Sequence, residues 1–288
     1  MGVEQVITGR RRDLGGFSVR RVLPAPGARM VGPFIFFDHM GPVSLAPGAG
    51  LDVRPHPHIA LATVTYLFTG SIVHRDSLGS VQIIKPGDVN WMTAGSGIVH
   101  SERSPEEERR RGVHVHGIQS WVALPDGREE DAPDFQHHAA ASLPCASCDG
   151  VELRVIAGEA FGRRSPVRVL WPTLYVDIIV AGGARLEIGA DYTDRACYVA
   201  EGEIEVSAVR GGEGELLVLT SGEAVTLCAH RTARVILLGG ERFATPRFIW
   251  WNFVSSSRER IDSAKRQWAE GQFAPVPGES EFIPLPPE

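Results

Sequence analysis

No stretch of this chain approaches the roughly 18–20 consecutive apolar residues that a membrane-spanning helix needs. The most apolar early run, Pro33-Phe34-Ile35-Phe36-Phe37, stops at Asp38-His39. Arg10-Arg11-Arg12 is followed by Asp13-Leu14-Gly15-Gly16 and not by an apolar segment, so it does not read as a twin-arginine export signal. Val6 stands where a myristoylation signal opening on Met1-Gly2 requires Ser or Thr. The chain is therefore expected to be cytoplasmic, with no membrane partner. A basic excess is also missing: 29 Lys+Arg against 35 Asp+Glu give a net charge of −6. Direct binding to nucleic acid, which needs a clustered positive footprint, is not expected. Cysteine is scarce too. Cys145-x-x-Cys148 has no second pair to complete a zinc ribbon, since Cys197 and Cys228 lie 31 residues apart. The pair reads as two reduced thiols in a surface loop.

Glycine and proline, by contrast, are abundant, with 32 and 20 in 288 residues. That usage suits a turn-rich, strand-rich architecture and not a helical bundle. An internal echo supports it. Tyr66-Leu67-Phe68-Thr69-Gly70-Ser71-Ile72 and Tyr198-Val199-Ala200-Glu201-Gly202-Glu203-Ile204 share the form Y-x-x-x-G-x-I, a strand, a tight Gly turn and a returning strand. A second Gly turn follows each, at Pro86-Gly87-Asp88 and Ser221-Gly222-Glu223, 17 and 20 residues on. The expected fold is all-β, two similar antiparallel β-barrels. The expected boundaries are a first domain over 1–125, a linker over 126–150 rich in Pro, Asp, Glu and Ala, and a second domain over 151–288. Ser256-x-x-Glu259 resembles a capping box, and Ile261, Ala264 and Trp268 follow at helical spacing. One helix is expected over about 257–270, stopped at Gly271 and followed by an extended tail, Phe282-Ile283-Pro284-Leu285-Pro286-Pro287.

Chemistry concentrates in two short segments. His56-Pro57-His58 begins a strand-like run, and His100-Ser101-Glu102 follows 42 residues after His58. Alternate residues of a strand share a face, so His56 pairs with His58 and His100 with Glu102. Antiparallel pairing of the two segments would bring three imidazoles and one carboxylate together. That donor set suits one divalent transition metal, iron first, with nickel, copper, zinc, manganese or cobalt also compatible. Four protein ligands in an octahedron leave two positions open for substrate or dioxygen. His114-Val115-His116 lacks a companion H-x-E and reads as structural. His137-His138, in the linker, reads as solvated, and His74 either supports the cluster or lies on the surface. Phe36 and Trp91 are aromatic neighbours that could line a pocket.

Several blocks in order resemble the pirin family: Pro55-His56-Pro57-His58, Thr63-Val64-Thr65-Tyr66-Leu67, Pro86-Gly87-Asp88-Val89, Trp91-Met92-Thr93-Ala94-Gly95 and Gly97-Ile98-Val99-His100-Ser101-Glu102. The resemblance covers residues 30–125 strongly, and the echo over 175–240 fits a second cupin. It implies a bicupin with the metal in the N-terminal barrel, held by His56, His58, His100 and Glu102. Where many pirins carry Arg-Gly-Phe-Glu after the second His, this chain has Ile59-Ala60-Leu61-Ala62, which removes two charges beside the site. Counting from the glycines of the echo, the equivalent positions of the second barrel are Ile188, Ala190, Val235 and Leu237, none of which can bind a metal. His230, alone nearby, reads as structural. The resemblance further implies a flavonol dioxygenase of the quercetinase type, acting on a small aromatic substrate with O₂. Its alternatives are a metal- and redox-sensitive regulator working through a protein partner, or a metal-binding barrel without turnover. Glu102 is the expected catalytic base as well as a ligand.

Overall fold

The computed structural model describes residues 2–13 and 17–287. The chain divides into two compact units that are not contiguous in sequence. One gathers residues 1–12, 19–39 and 141–243, the other 13–18, 40–140 and 244–288. The division thus differs from the sequential halves that the sequence suggests. Val3–Thr8 runs antiparallel to Glu215–Leu219, so the start of the chain completes a sheet whose other strands come from far downstream.

The first unit packs two antiparallel sheets face to face. The larger follows the order Val3–Thr8, Glu215–Leu219, Asp194–Glu201, Ala233–Gly240, Thr173–Val180, Val151–Ala160 and Cys145–Cys148. The smaller follows Arg185–Ile188, Val225–Ala229, Glu203–Val206 and Val209–Gly212. Alternate residues of Thr173–Val180, namely Leu174, Val176, Ile178 and Val180, turn to the inner face. With Cys197, Val199, Val235 and Leu237 they meet Ile204, Val206, Leu227 and Ala229 from the smaller sheet in one apolar core. Three of the four positions equivalent to the polar site residues, Ile188, Val235 and Leu237, lie in that core, and Ala190 is exposed. Packing side chains occupy the place where the sequence echo would put ligands.

The second unit repeats the plan. Asp134–His138, Val89–Thr93, Leu61–Thr69 and Val113–Ala123 lie side by side in one sheet. Asp52–His58, Ile98–Arg103, Ile72–Asp76 and Val81–Ile84 form the other. None of these hydrogen-bond ladders closes on itself, so the expected barrels are pairs of open sheets facing each other. The repeated Gly turns also differ from simple hairpins. Leu61–Thr69 and Ile72–Asp76 fall in different sheets, as do Asp194–Glu201 and Glu203–Val206. Gly70 and Gly202, both at φ +82°, turn the chain through a corner from one layer to the facing one. At Gly70 a Cβ would collide with the His114 carbonyl, so only glycine makes this corner.

The segment expected as a linker is partly ordered into strands. Asp134–His138 extends one sheet along Val89–Thr93, and Cys145–Cys148 extends another along Val151–Ala160. The C-terminal helix is present as Arg258–Ala269. Its cap is Ser257, one residue beyond the expected Ser256, because the Ser257 hydroxyl accepts from the Arg260 N–H. Gly271, at φ +68°, ends it. Ile261 and Ala264 on its buried face pack with Ile59 and Phe253. The tail then returns across the outside of the second unit: Ile283 N–H donates to the Pro55 carbonyl, and Arg103 holds Glu279 through two nitrogens at 3.1 and 2.6 Å. Among the described residues no helix is long and apolar enough to cross a membrane.

The four thiols are unpaired and differ sharply in exposure. Cys145 and Cys148 are exposed, whereas Cys197 is buried, and burial pushes its thiol up to about 12. Titration of the native protein with a thiol reagent near pH ~8 should label Cys145 quickly, Cys148 more slowly because its hydrogen bond to the Asp149 carboxylate raises its pKa, and leave Cys197 unreacted until the protein unfolds. Rapid labelling of Cys197 in the native state would contradict this packing.

Candidate metal centre

Antiparallel pairing of Asp52–His58 with Ile98–Arg103 places His100 directly opposite His56 and Ile98 opposite His58. The period of two then does the rest: His56, His58 and His100 turn to one face. Their candidate ligand atoms all lie within 4.8 Å of one another. The His56 and His100 ring centroids are 4.4 Å apart, and His58 Nε2 approaches His100 Nε2 to 3.1 Å. All three rings are buried. Burial strips them of solvation and holds His56 down to about 4, with His58 and His100 also well below the ordinary imidazole value.

Backbone carbonyls orient two of the rings. His56 Nδ1 donates to the Arg54 carbonyl at 2.8 Å, and His58 Nδ1 donates to the Asn252 carbonyl at 3.2 Å. A carbonyl only accepts, so in each neutral ring the proton sits on Nδ1 and Nε2 is a lone pair. Asn252 lies in the tight connection between Phe248–Trp250 and Phe253–Ser255, where Trp251 adopts φ +51°. The bridge between Ile59 and Phe253 docks that connection beside the His58 strand. Ile59, Ala60, Leu61 and Ala62 are all fully buried, which explains why apolar residues are accommodated at these positions.

Glu102 is buried but stands outside the triad. The partners of His100 and Glu102 are His56 and Val53, so the Asp52–His58 strand carries one extra residue there, whereas Ile98–Arg103 stays in regular register with Ile72–Asp76. Glu102 Oε1 accepts from Thr65 Oγ1 at 3.1 Å, and burial raises its pKa. His74 and Asp76, on the other flank of Ile98–Arg103, are buried as well. His74 Nε2 donates to Asp76 Oδ2 at 3.0 Å, and His74 Nδ1 lies 3.5 Å from His100 Nδ1. Of the two sequence readings of His74, support of the cluster is the one the geometry matches. Asp76 was not expected, although His74-x-Asp76 repeats the same-face pattern of the other pairs.

The remaining histidines fall elsewhere. His114 Nδ1 meets Ser44 Oγ at 2.8 Å, and His116 packs edge-on against Phe68, consistent with structural roles. His137, expected to be solvated, is half-buried and donates to Asn90 Oδ1 at 2.8 Å. Asn90 pairs with Thr65 and so shares its face, which leaves Trp91 on the opposite side of the sheet, away from Glu102. Phe36 belongs to the other compact unit, where its ring lies under the Arg21 guanidinium. Neither aromatic lines this cluster. Trp121 does, edge-on to His58 with centroids 5.1 Å apart.

Three buried, neutral imidazoles whose candidate ligand atoms lie within 4.8 Å of one another fit a divalent transition metal. Two Nε2 lone pairs 3.1 Å apart repel unless a cation or a shared proton lies between them. Comparison with known proteins agrees with the fold. Residues 16–122 match the Pirin family model, and residues 175–274 match that of the pirin C-terminal cupin domain. A pirin-like protein of Caulobacter vibrioides is 50% identical over 288 residues, covering 99% of each chain. The crystal structure of quercetin 2,3-dioxygenase from Acinetobacter baumannii superposes with a TM-score of 0.91 at 35% identity, covering 99% of this chain and 95% of that one. The bacterial pirin YhhW of Escherichia coli, solved in complex with nickel(II), shares the fold with a TM-score of 0.66 at 17% identity, covering 83% and 99%.

Burial of the imidazoles has a pH consequence. A ring held below its ordinary value of 6.5 binds fewer protons folded than unfolded, so stability is lost as pH falls from about 6.5 toward about 4. For His56 alone the full window corresponds to about 3 kcal/mol. Glu102, shifted upward, works in the opposite direction. Thermal unfolding of metal-free protein should occur at lower temperature at pH 5 than at pH 7, and His56→Gln should flatten that dependence. An unchanged pH dependence in the variant would refute the assignment of the effect to His56.

Proposed function

The chain belongs to the pirin family, and from that premise we propose that it is a metal-dependent dioxygenase acting on a flavonol-like aromatic substrate. The observation that carries this reading is the buried convergence of three neutral imidazoles, with Glu102 two residues from His100 on the same strand. His56, His58, His100 and Glu102 would hold the metal, iron first. When bound, the metal supplies Lewis acidity toward a flavonol hydroxyl and redox access to O₂. Three neutral imidazoles and one carboxylate leave a divalent site at a net charge of about +1, which favours an enolate.

The protein's own groups account for the proton and for orientation. Glu102 is the acidic group beside the triad, and its upward shift places it nearer the range in which a carboxylate accepts a proton. Thr65 Oγ1 lies within hydrogen-bond distance of both Glu102 Oε1 and Gln119 Oε1, fixing the carboxylate from behind. Asn90 supplies a free donor on the Thr65 face: its Oδ1 is taken by His137, and its buried Nδ2 has no hydrogen-bond partner among the described residues. A substrate carbonyl or phenolate oxygen would satisfy it. The edge of Trp121 beside His58 offers an apolar wall for an aromatic ring.

His56→Ala combined with His100→Ala should abolish stoichiometric metal binding, whereas substitution of His114 and His116 should leave it intact. Aerobic incubation of the iron-loaded protein with quercetin should bleach the flavonol absorbance and release carbon monoxide, and anaerobic incubation should do neither. Glu102→Gln should lower turnover by about 10²–10⁴-fold beyond any loss of metal. Asn90→Leu, which preserves volume, should lower kcat/KM by roughly tenfold, the scale of one buried hydrogen bond. Absence of turnover with every compatible metal would instead favour the regulatory binding protein.

A further inference from the structure

Asp76, His74 and His100 form a continuous chain of contacts leading away from the triad. Asp76 is fully buried, and its Oδ1 accepts the backbone N–H groups of Leu78 and Ser80 at 2.9 and 3.0 Å. The turn therefore fixes the carboxylate, leaving Oδ2 aimed at His74 Nε2. Phe135 stacks flat on His74, with centroids 4.4 Å apart and the planes 9° from parallel, which fixes the ring. Phe135 comes from Asp134–His138, so part of the segment expected as a linker holds this histidine in place.

We propose that Asp76 and His74 are positioning residues that set the tautomer of His100 and so aim its Nε2 lone pair at the metal centre. A carboxylate only accepts, so a neutral His74 carries its proton on Nε2 and presents Nδ1 as a lone pair. Facing that lone pair at 3.5 Å, His100 Nδ1 must be the N–H. The one remaining nitrogen, His100 Nε2, is then unprotonated on the side where His58 Nε2 lies. His56 and His58 receive the same instruction from backbone carbonyls; His100 receives it through two side chains. This rests on the metal-binding reading above and adds to it how the third imidazole is prepared.

Asp76→Asn tests the direction of the relay. The amide keeps an oxygen for the turn but offers an N–H to His74, which reverses the proton order and places a proton on His100 Nε2. Nickel(II) affinity, measured by competition titration, should fall by roughly 10–100-fold, the usual effect of losing a partner behind a ligating histidine. His74→Phe, which retains a ring against Phe135, should weaken binding similarly, and His74→Asn, whose carbonyl can accept from His100 Nδ1, should restore most of it. Independently of any variant, ¹⁵N-histidine NMR of the zinc-loaded wild-type protein should show His100 protonated at Nδ1 and coordinated through Nε2. Coordination through Nδ1, or wild-type nickel affinity in both Asp76→Asn and His74→Phe, overturns the relay. Wild-type protein that takes up neither ion overturns the metal-binding reading itself.

Discussion

The structure of the site depends on one constraint: three imidazoles are buried side by side and must stay neutral. Solvent would let them protonate and repel. Burial removes that option, and each ring is then steered by whatever faces its outer nitrogen. A carbonyl beside His56, a carbonyl beside His58 and a buried imidazole beside His100 all act on Nδ1. Consistent use of the outer nitrogen is what makes the inner ones a usable donor set.

Those outer groups come from separate stretches of chain. Arg54 is local, Asn252 arrives from the C-terminal segment, and His74 with Asp76 arrives on the adjacent strand. The helix Arg258–Ala269 and Phe253 cover Ile59, so the packing that buries the end of the His58 strand also seats the Asn252 carbonyl. The apolar run Ile59-Ala60-Leu61-Ala62 belongs to this packing. The same residues that depart from the common pirin pattern are those that the C-terminal segment and the neighbouring strands enclose.

The two halves of the fold show how one plan yields two outcomes. Both use a Gly corner at φ +82° to pass the chain between facing sheets. In one, the inward positions are aliphatic and fill the space by packing. In the other, His56, His58, His100, Glu102, Thr65 and Asn90 replace that packing with polar groups that need partners. Among the described residues nearly every such group has one, which leaves the Asn90 amide nitrogen conspicuous as a donor awaiting an oxygen.

The sequence by itself determined which residues share a face, because strand periodicity is local: His56 with His58, and His100 with Glu102. It also determined where the Gly turns fall, though not that they cross between sheets, and the C-terminal helix to within one residue of its cap, since caps and positive φ leave residue-type signatures. Tertiary structure alone decided the rest. The pairing that sets His100 opposite His56, with one extra residue of the Asp52–His58 strand between His56 and Val53, is a choice of register, and a register is chosen by the pairing of distant strands. The Asn252 carbonyl could not be read at all, because every residue has a carbonyl and only folding chooses which one meets a histidine. Nor could the discontinuous division of the chain, in which Val3–Thr8 completes a sheet built from the second half of the sequence. Local chemistry is written in residue types, whereas the choice of partners is made by burying surfaces that lie far apart along the chain.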